Sequence, residues 1–187
     1  DNLPGHACLC DSCQAIVERE GGHDSGLWLD FVNEIADSIR DDYPDVLIET
    51  LAYNNTLTPP ENIRPRDNVM IRWAYNYGMK DFFNPITHEY NANAINHRRG
   101  LMPLGEAFDG WTEIAGHLSV WDYWRRYESG QPAGFHVPWA APHVKQTNLQ
   151  YFHRNNAKSY YAEFEDWGNM HSEGFRYTMH SFHPLMS

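Results

Sequence analysis

Four short apolar runs separated by amphipathic segments constrain this chain more than any other feature. The first, 46–53, is Val-Leu-Ile-Glu-Thr-Leu-Ala-Tyr. The second is Val69 to Tyr75, the third His117 to Tyr123 and the fourth Ser159 to Phe164. Runs this short and this apolar read as strands of a parallel sheet, buried on both faces. Between and before them the period changes. Leu27, Phe31, Ile35 and Ile39 recur every fourth residue with Trp28, Val32 and Ala36 beside them, which predicts an amphipathic helix begun at Asp24 or Ser25 and ended by Pro44. Leu104 to Ala115 and Val144 to Asn156 read as two further helices, and Ile86 to Arg99 as a partly helical segment. The connection from Thr58 to Pro65 holds Pro59, Pro60 and Pro65, too many for a long helix.

Helices alternating with parallel strands define an α/β chain. Right-handed crossovers would set the strands side by side. Four such strands make half of an eight-stranded barrel, and half a barrel leaves apolar edges to cover. The fold expected is therefore a parallel (β/α)8 TIM-type barrel of which this chain is the C-terminal half. A small open α/β sheet is the alternative. Residues 1–187 form one domain or part of one, with a cysteine-rich loop over 1–26 and an irregular tail rich in His and Met over 167–187.

Composition removes several classes. Lys and Arg number 14 against 25 Asp and Glu, a net charge of −11, the wrong sign for gripping a phosphate backbone. Nucleic acid is thus not an expected partner. With 42% hydrophobic residues the chain is no disordered segment. No apolar run approaches the roughly 20 residues a bilayer span needs. The opening Asp-Asn-Leu-Pro-Gly carries neither an initiator Met nor a signal-peptide pattern, so the expectation is a piece of a larger polypeptide whose upstream part supplies the other four strands. Asn54-Asn55-Thr56 is a formal glycosylation triplet, for which an ordinary polar turn is the favoured reading.

Chemistry in such barrels gathers at the carboxyl ends of the strands. Those ends carry Tyr53 and Asn54, then Tyr75, then Trp121, Asp122, Tyr123 and Trp124, and finally Glu163. Aromatic faces for sugar C–H surfaces, with amides and carboxylates for hydroxyls, suit a carbohydrate substrate. Glycoside hydrolysis needs two carboxyl groups across a pocket. Asp122 and Glu163 are the candidate pair and Asp1 a third acid; ion pairs with Arg72, Arg125 or Arg126 are the competing use of these carboxylates. Tyr53, Asn54, Tyr75, Trp121, Tyr123 and Trp124 are the candidate substrate-binding residues. A binding-only glycan barrel and a zinc-organised structural domain are the rival functions. The hydrolytic chemistry requires no cofactor.

The segment Cys8-Leu-Cys10-Asp-Ser-Cys13 offers three thiols, with His6 and His23 nearby. Three thiolates and an imidazole would complete a tetrahedral zinc site. One disulfide plus a free thiol, or three reduced thiols, are the other readings. The remaining histidines, of 11 in all, are scattered without a helical metal-pair spacing.

Taken in order, Cys8-x-Cys10-x-x-Cys13, Ser25-Gly26, Phe31-Val32-Asn33, Tyr43-Pro44-Asp45, Leu51-Ala52-Tyr53, Pro59-Pro60 and Val120-Trp121-Asp122-Tyr123 resemble a family of barrel domains in large bacterial glycoside-hydrolase-like proteins. Members often carry, upstream, an α/β domain like the one before the barrel of family 20 hexosaminidases. The resemblance spans Asp1 to about Glu165. It implies a TIM-type fold, a carbohydrate substrate and export, to the periplasm or outside the cell. It also implies a rim position for Asp1, and assigns Glu163 and the Trp121-Asp122-Tyr123 strand end to the site.

Overall fold

The computed structural model describes residues 8–75, 83–95, 102–123 and 142–163. The four apolar runs form β1 (Ile48–Ala52), β2 (Val69–Tyr75), β3 (His117–Tyr123) and β4 (Ala157–Glu163). Every neighbouring pair is parallel and the order in the sheet is β1-β2-β3-β4. Thr50 sits opposite Ile71, Tyr75 opposite Asp122, and Tyr123 opposite Glu163. The register shifts once, beside Leu118 and Ser119. The helices are α1 (Asp11–Arg19), α2 (Asp24–Ile39), the short α3 (Glu89–Ala92), α4 (Leu104–Ile114) and α5 (Pro142–Arg154). Among the described residues no helix is long and apolar enough to cross a membrane.

Helices and strands meet in one core. Trp73 packs edge-on against Phe108 of α4, with ring centroids 4.8 Å apart, and within 6.0 Å of Phe152 of α5. Val69, Ile71, Trp73 and Tyr75 of β2, with Leu118 and Val120 of β3, join Leu29, Val32 and Ala36 of α2 in the same buried cluster. Strand residues alternate between faces, so this helix-covered face takes one parity of each strand. The other parity, including Glu49, Leu51, Arg72, Trp121 and Tyr161, belongs to the opposite face.

Two sequence expectations change. The stretch 1–26 is not wholly a loop, since α1 occupies residues 11–19 and α2 begins at Asp24. Cys10 adopts the extended N-cap conformation (φ −72°, ψ 153°), and only Val17 of α1 is buried. So short and polar a helix draws its stability from packing on α2 rather than from periodicity. Within α2 the apolar stripe at Phe31 and Ile35, with Trp28, is exposed, and the buried face is Ser25, Gly26, Leu29, Val32, Asn33 and Ala36. Small and polar residues line that inner face because α2 lies close against main chain.

The proline-rich connection between β1 and β2 is held by side chains in place of a crossover helix. The buried Glu20 carboxylate accepts from the backbone N–H groups of Asn62 and Ile63, both at 2.8 Å, and from Arg19 Nε at 3.0 Å. Asn33 donates to Arg64 O at 2.9 Å while its Oδ1 accepts from Arg66 N at 3.0 Å. Asn68 Nδ2 donates to Ala36 O at 2.8 Å. Gly26 leaves room for this arrangement: a Cβ there would lie 2.4 Å from Glu20 Cβ and Cγ.

Candidate functional site

The carboxyl ends of β3 and β4 place three aromatic rings on the sheet face away from the helices. Trp121 and Tyr161, register partners, have centroids 4.5 Å apart, and Tyr123 stands 6.3 Å from Trp121. Arg72, one parity step back on β2, lays its guanidinium 5.9 Å from the Trp121 ring centre and 5.8 Å from that of Tyr161. Glu49 of β1 holds the same guanidinium at 2.6 Å. The cation is thus neutralised on one side and faces π density on the other. Below it, Ser159 donates to Ser119 across the strands at 2.8 Å. Trp121, Tyr123 and Arg72 are half-buried and Tyr161 is exposed.

Asp122 belongs to the other face. Its carboxylate is fully buried, 2.8 Å from Lys145 Nζ of α5 and 2.5 Å from the Tyr160 hydroxyl. Lys145 also donates to Tyr123 O at 3.4 Å. The cause is parity: Asp122 follows Leu118 and Val120, both in the core, whereas Trp121 and Tyr123 point the opposite way. In backbone register Asp122 pairs with Ala162, and Glu163 closes β4 in the next row, opposite Tyr123, so the two expected acids stand in alternate rows. Among the described residues the salt-bridge partner of Asp122 is Lys145, and Arg72 pairs instead with Glu49.

Tyr75 also departs from expectation. It is buried beside Trp73 (5.7 Å) and Phe152 (6.0 Å), on the helix side of the sheet. Tyr53 and Asn54 follow β1 in a single 3-10 turn, Asn54–Thr56. Asn54 takes φ +51°, a left-handed conformation asparagine tolerates. The Thr56 hydroxyl turns inward, donating to Leu51 O at 2.9 Å and accepting from Tyr53 N at 3.2 Å. The polar-turn reading of the triplet is the one this geometry matches. Asp1, His6, Trp124, Arg125, Arg126 and the tail 167–187 lie outside the described residues.

The three thiols converge elsewhere, at the start of α1. The sulfurs of Cys8, Cys10 and Cys13 all lie within 4.8 Å of one another, are free of disulfides, and form a group able to hold a metal ion. The Ser12 hydroxyl (3.2 Å) and the Cys13 backbone N–H lower the Cys10 thiol to about 6. Hydrogen bonding with Cys10 and Cys8 drives the Cys13 thiol up to about 11. A neighbouring hydroxyl and a backbone N–H thus do here what a basic side chain would do.

Sequence reasoning missed Lys145, Glu49 and Tyr161 as parts of these clusters, and expected Arg72 only as an ion-pair partner of the candidate acids. The parity of β2 and β3 against the apolar set was the available signal for Arg72 and Asp122. Lys145 lacked one, since its neighbour Val144 gives α5 only a weak apolar face.

No curated protein and no solved structure matches the chain. The family model of DUF4838, a domain of unknown function, matches residues 1–186, and the chain belongs to that family.

Proposed function

We propose that this chain is the C-terminal half of a (β/α)8-type barrel in an exported carbohydrate-active enzyme, and that the enzyme is a glycoside hydrolase. The strand order supports the barrel. Sequential addition in one direction, with right-handed crossovers, puts every connection on the same face. The face on which none of the described helices packs then becomes the barrel lining once further strands close it. A doubly wound open sheet would reverse its strand order and cover both faces.

The single observation that carries the sugar reading is the Trp121–Tyr161–Tyr123 cluster at the carboxyl ends of adjacent strands, on that face, with Arg72 beside it. Rings stack on the C–H faces of pyranoses, and the flanking polar groups take the hydroxyls. Glu163, in the row of Tyr123, is the acid we assign to catalysis. Asp1, or a carboxylate from the rest of the polypeptide, is its partner. The hydrolytic step needs no cofactor, and a structural zinc at the three thiols would stand apart from it.

A second reading, glycan binding without hydrolysis, is favoured by one observation: the engagement of Asp122 by Lys145 withdraws an acid from the rim.

The test uses the intact polypeptide against a panel of polysaccharides and aryl glycosides. Glu163→Gln should cut turnover by orders of magnitude while leaving glycan retention on affinity gels intact. Trp121→Ala should weaken retention itself. Wild-type protein that retains glycan through Trp121 yet hydrolyses none selects the binding-only reading. Protein that does neither overturns both.

A further inference from the structure

We propose that Cys8, Cys10 and Cys13 form a tri-thiolate site for a thiophilic d10 cation of the Zn2+ class, which organises the head of α1. The geometry fits such an ion. Zn–S bonds of about 2.3 Å in tetrahedral array set sulfurs about 3.8 Å apart. Here the Cys8 and Cys10 sulfurs are 3.3 Å apart, and all three lie within 4.8 Å. Modest rotamer adjustment therefore reaches the coordinated state.

The loop bearing the thiols is already closed. Gln14 N donates to Cys10 O at 3.0 Å, starting the helix, and Gln14 Nε2 donates to Cys8 O at 2.8 Å, folding the Cys8 main chain back over the first turn. Cys10 at the N-cap and Cys13 three residues on fall on one side of the helix. The Ser12 hydroxyl, 3.2 Å from the Cys10 sulfur, supplies the outer hydrogen bond that metal thiolates commonly receive.

Number also argues for an ion. A disulfide uses two sulfurs and strands the third, whereas coordination uses all of them. Loading exchanges three S–H protons for the cation: three thiols and Zn2+ give a zinc tris-thiolate of charge −1 and three released protons, without oxidation. A water or an external ligand takes the fourth position. Cys8 and Cys10 are exposed, so the ion has a path in. Its structural reach follows from α1, which packs on α2 and leads directly into Glu20, the residue that grips Asn62 and Ile63.

The experiment is reconstitution of the reduced, purified intact polypeptide with ZnCl2, followed by desalting and elemental analysis, with CoCl2 in a parallel sample. The expected result is stoichiometric zinc and, with cobalt, thiolate-to-metal charge-transfer bands together with tetrahedral d–d bands. Cys10→Ser and, separately, Cys8→Ser should lose both, with far-UV circular dichroism reporting whether each variant stays folded. Ser12→Ala should weaken zinc binding by about 10-fold or more while keeping the bands. The proposal is overturned if the folded wild-type chain retains no metal while its three thiols remain titratable. It is equally overturned if peptide mapping of the unreduced protein finds a disulfide among them. None of these readouts depends on glycan chemistry.

Discussion

Lys145 Nζ stands 2.8 Å from Asp122 Oδ2, and both side chains are buried, at 3% and 0% exposure. A buried ion pair owes little to its own attraction and much to the penalty of breaking it. Asp122→Ala should therefore destabilise the chain by about 3–5 kcal/mol, because it removes the buried carboxylate that faces the Lys145 ammonium and the Tyr160 hydroxyl. Replacing both partners, Asp122→Leu with Lys145→Met, should recover most of that loss. Urea unfolding of the two variants and the wild type measures the difference, and equal losses would disprove the account.

Exposure along α2 predicts an inversion of what the apolar period suggests. Phe31→Ser should change stability by no more than about 0.5 kcal/mol, since Phe31 is 55% exposed. Leu29→Ala, at a fully buried neighbour, should cost about 2–5 kcal/mol. Thermal melts of both variants check the order of effects.

Glu20 predicts a pH dependence. Burial by itself would raise its carboxyl pKa, but the N–H groups of Ile63 and Asn62 and the Arg19 guanidinium outweigh it and hold the value below the ordinary 4.5. A depressed folded pKa means stabilisation that is fully present above 4.5 and is lost as the pH falls through the folded value. Glu20→Gln should abolish that acid-side component and cost about 1–3 kcal/mol at neutral pH. Denaturant midpoints of both proteins between neutral and strongly acidic pH give the comparison.

Asn33 bonds the main chain on both sides of Pro65. Asn33→Ala should cost about 1–3 kcal/mol, from an amide site left empty and two backbone groups left without it. Hydrogen exchange at Arg66 N reports the loss directly: protection of that amide should fall well before protection in β2.

Much of this fold is legible in the residues, and the exceptions have physical causes. The apolar runs of β2 and β3 give their limits to the residue, because polar Arg66-Asp67-Asn68 and Gly116 stand just before them. β4 lies two residues earlier than its apolar pattern, beginning at Ala157, where Asn156 with φ +69° turns the chain out of α5. Which face a residue serves is harder to read. In α2 the bulkiest residues lie outside, because main chain and the Glu20 carboxylate crowd the inner side. At the strand ends Trp121 and Tyr123 share a face, whereas Tyr75 and Asp122 serve the core. Composition at a strand end identifies the kinds of groups present, and parity decides which side receives them.

The clamps on the β1–β2 connection grasp peptide groups and ignore what hangs from them. Glu20 reads the amides of residues 62 and 63, and Asn33 those around residue 65. These two clamps therefore constrain the length and trace of the stretch, while its side chains answer to other contacts, Asn62 Nδ2 to Arg19 O and Arg66 to Asp37. Inserting a residue there should be more harmful than exchanging an exposed one, because a single step of slippage would present each clamp with the wrong amide.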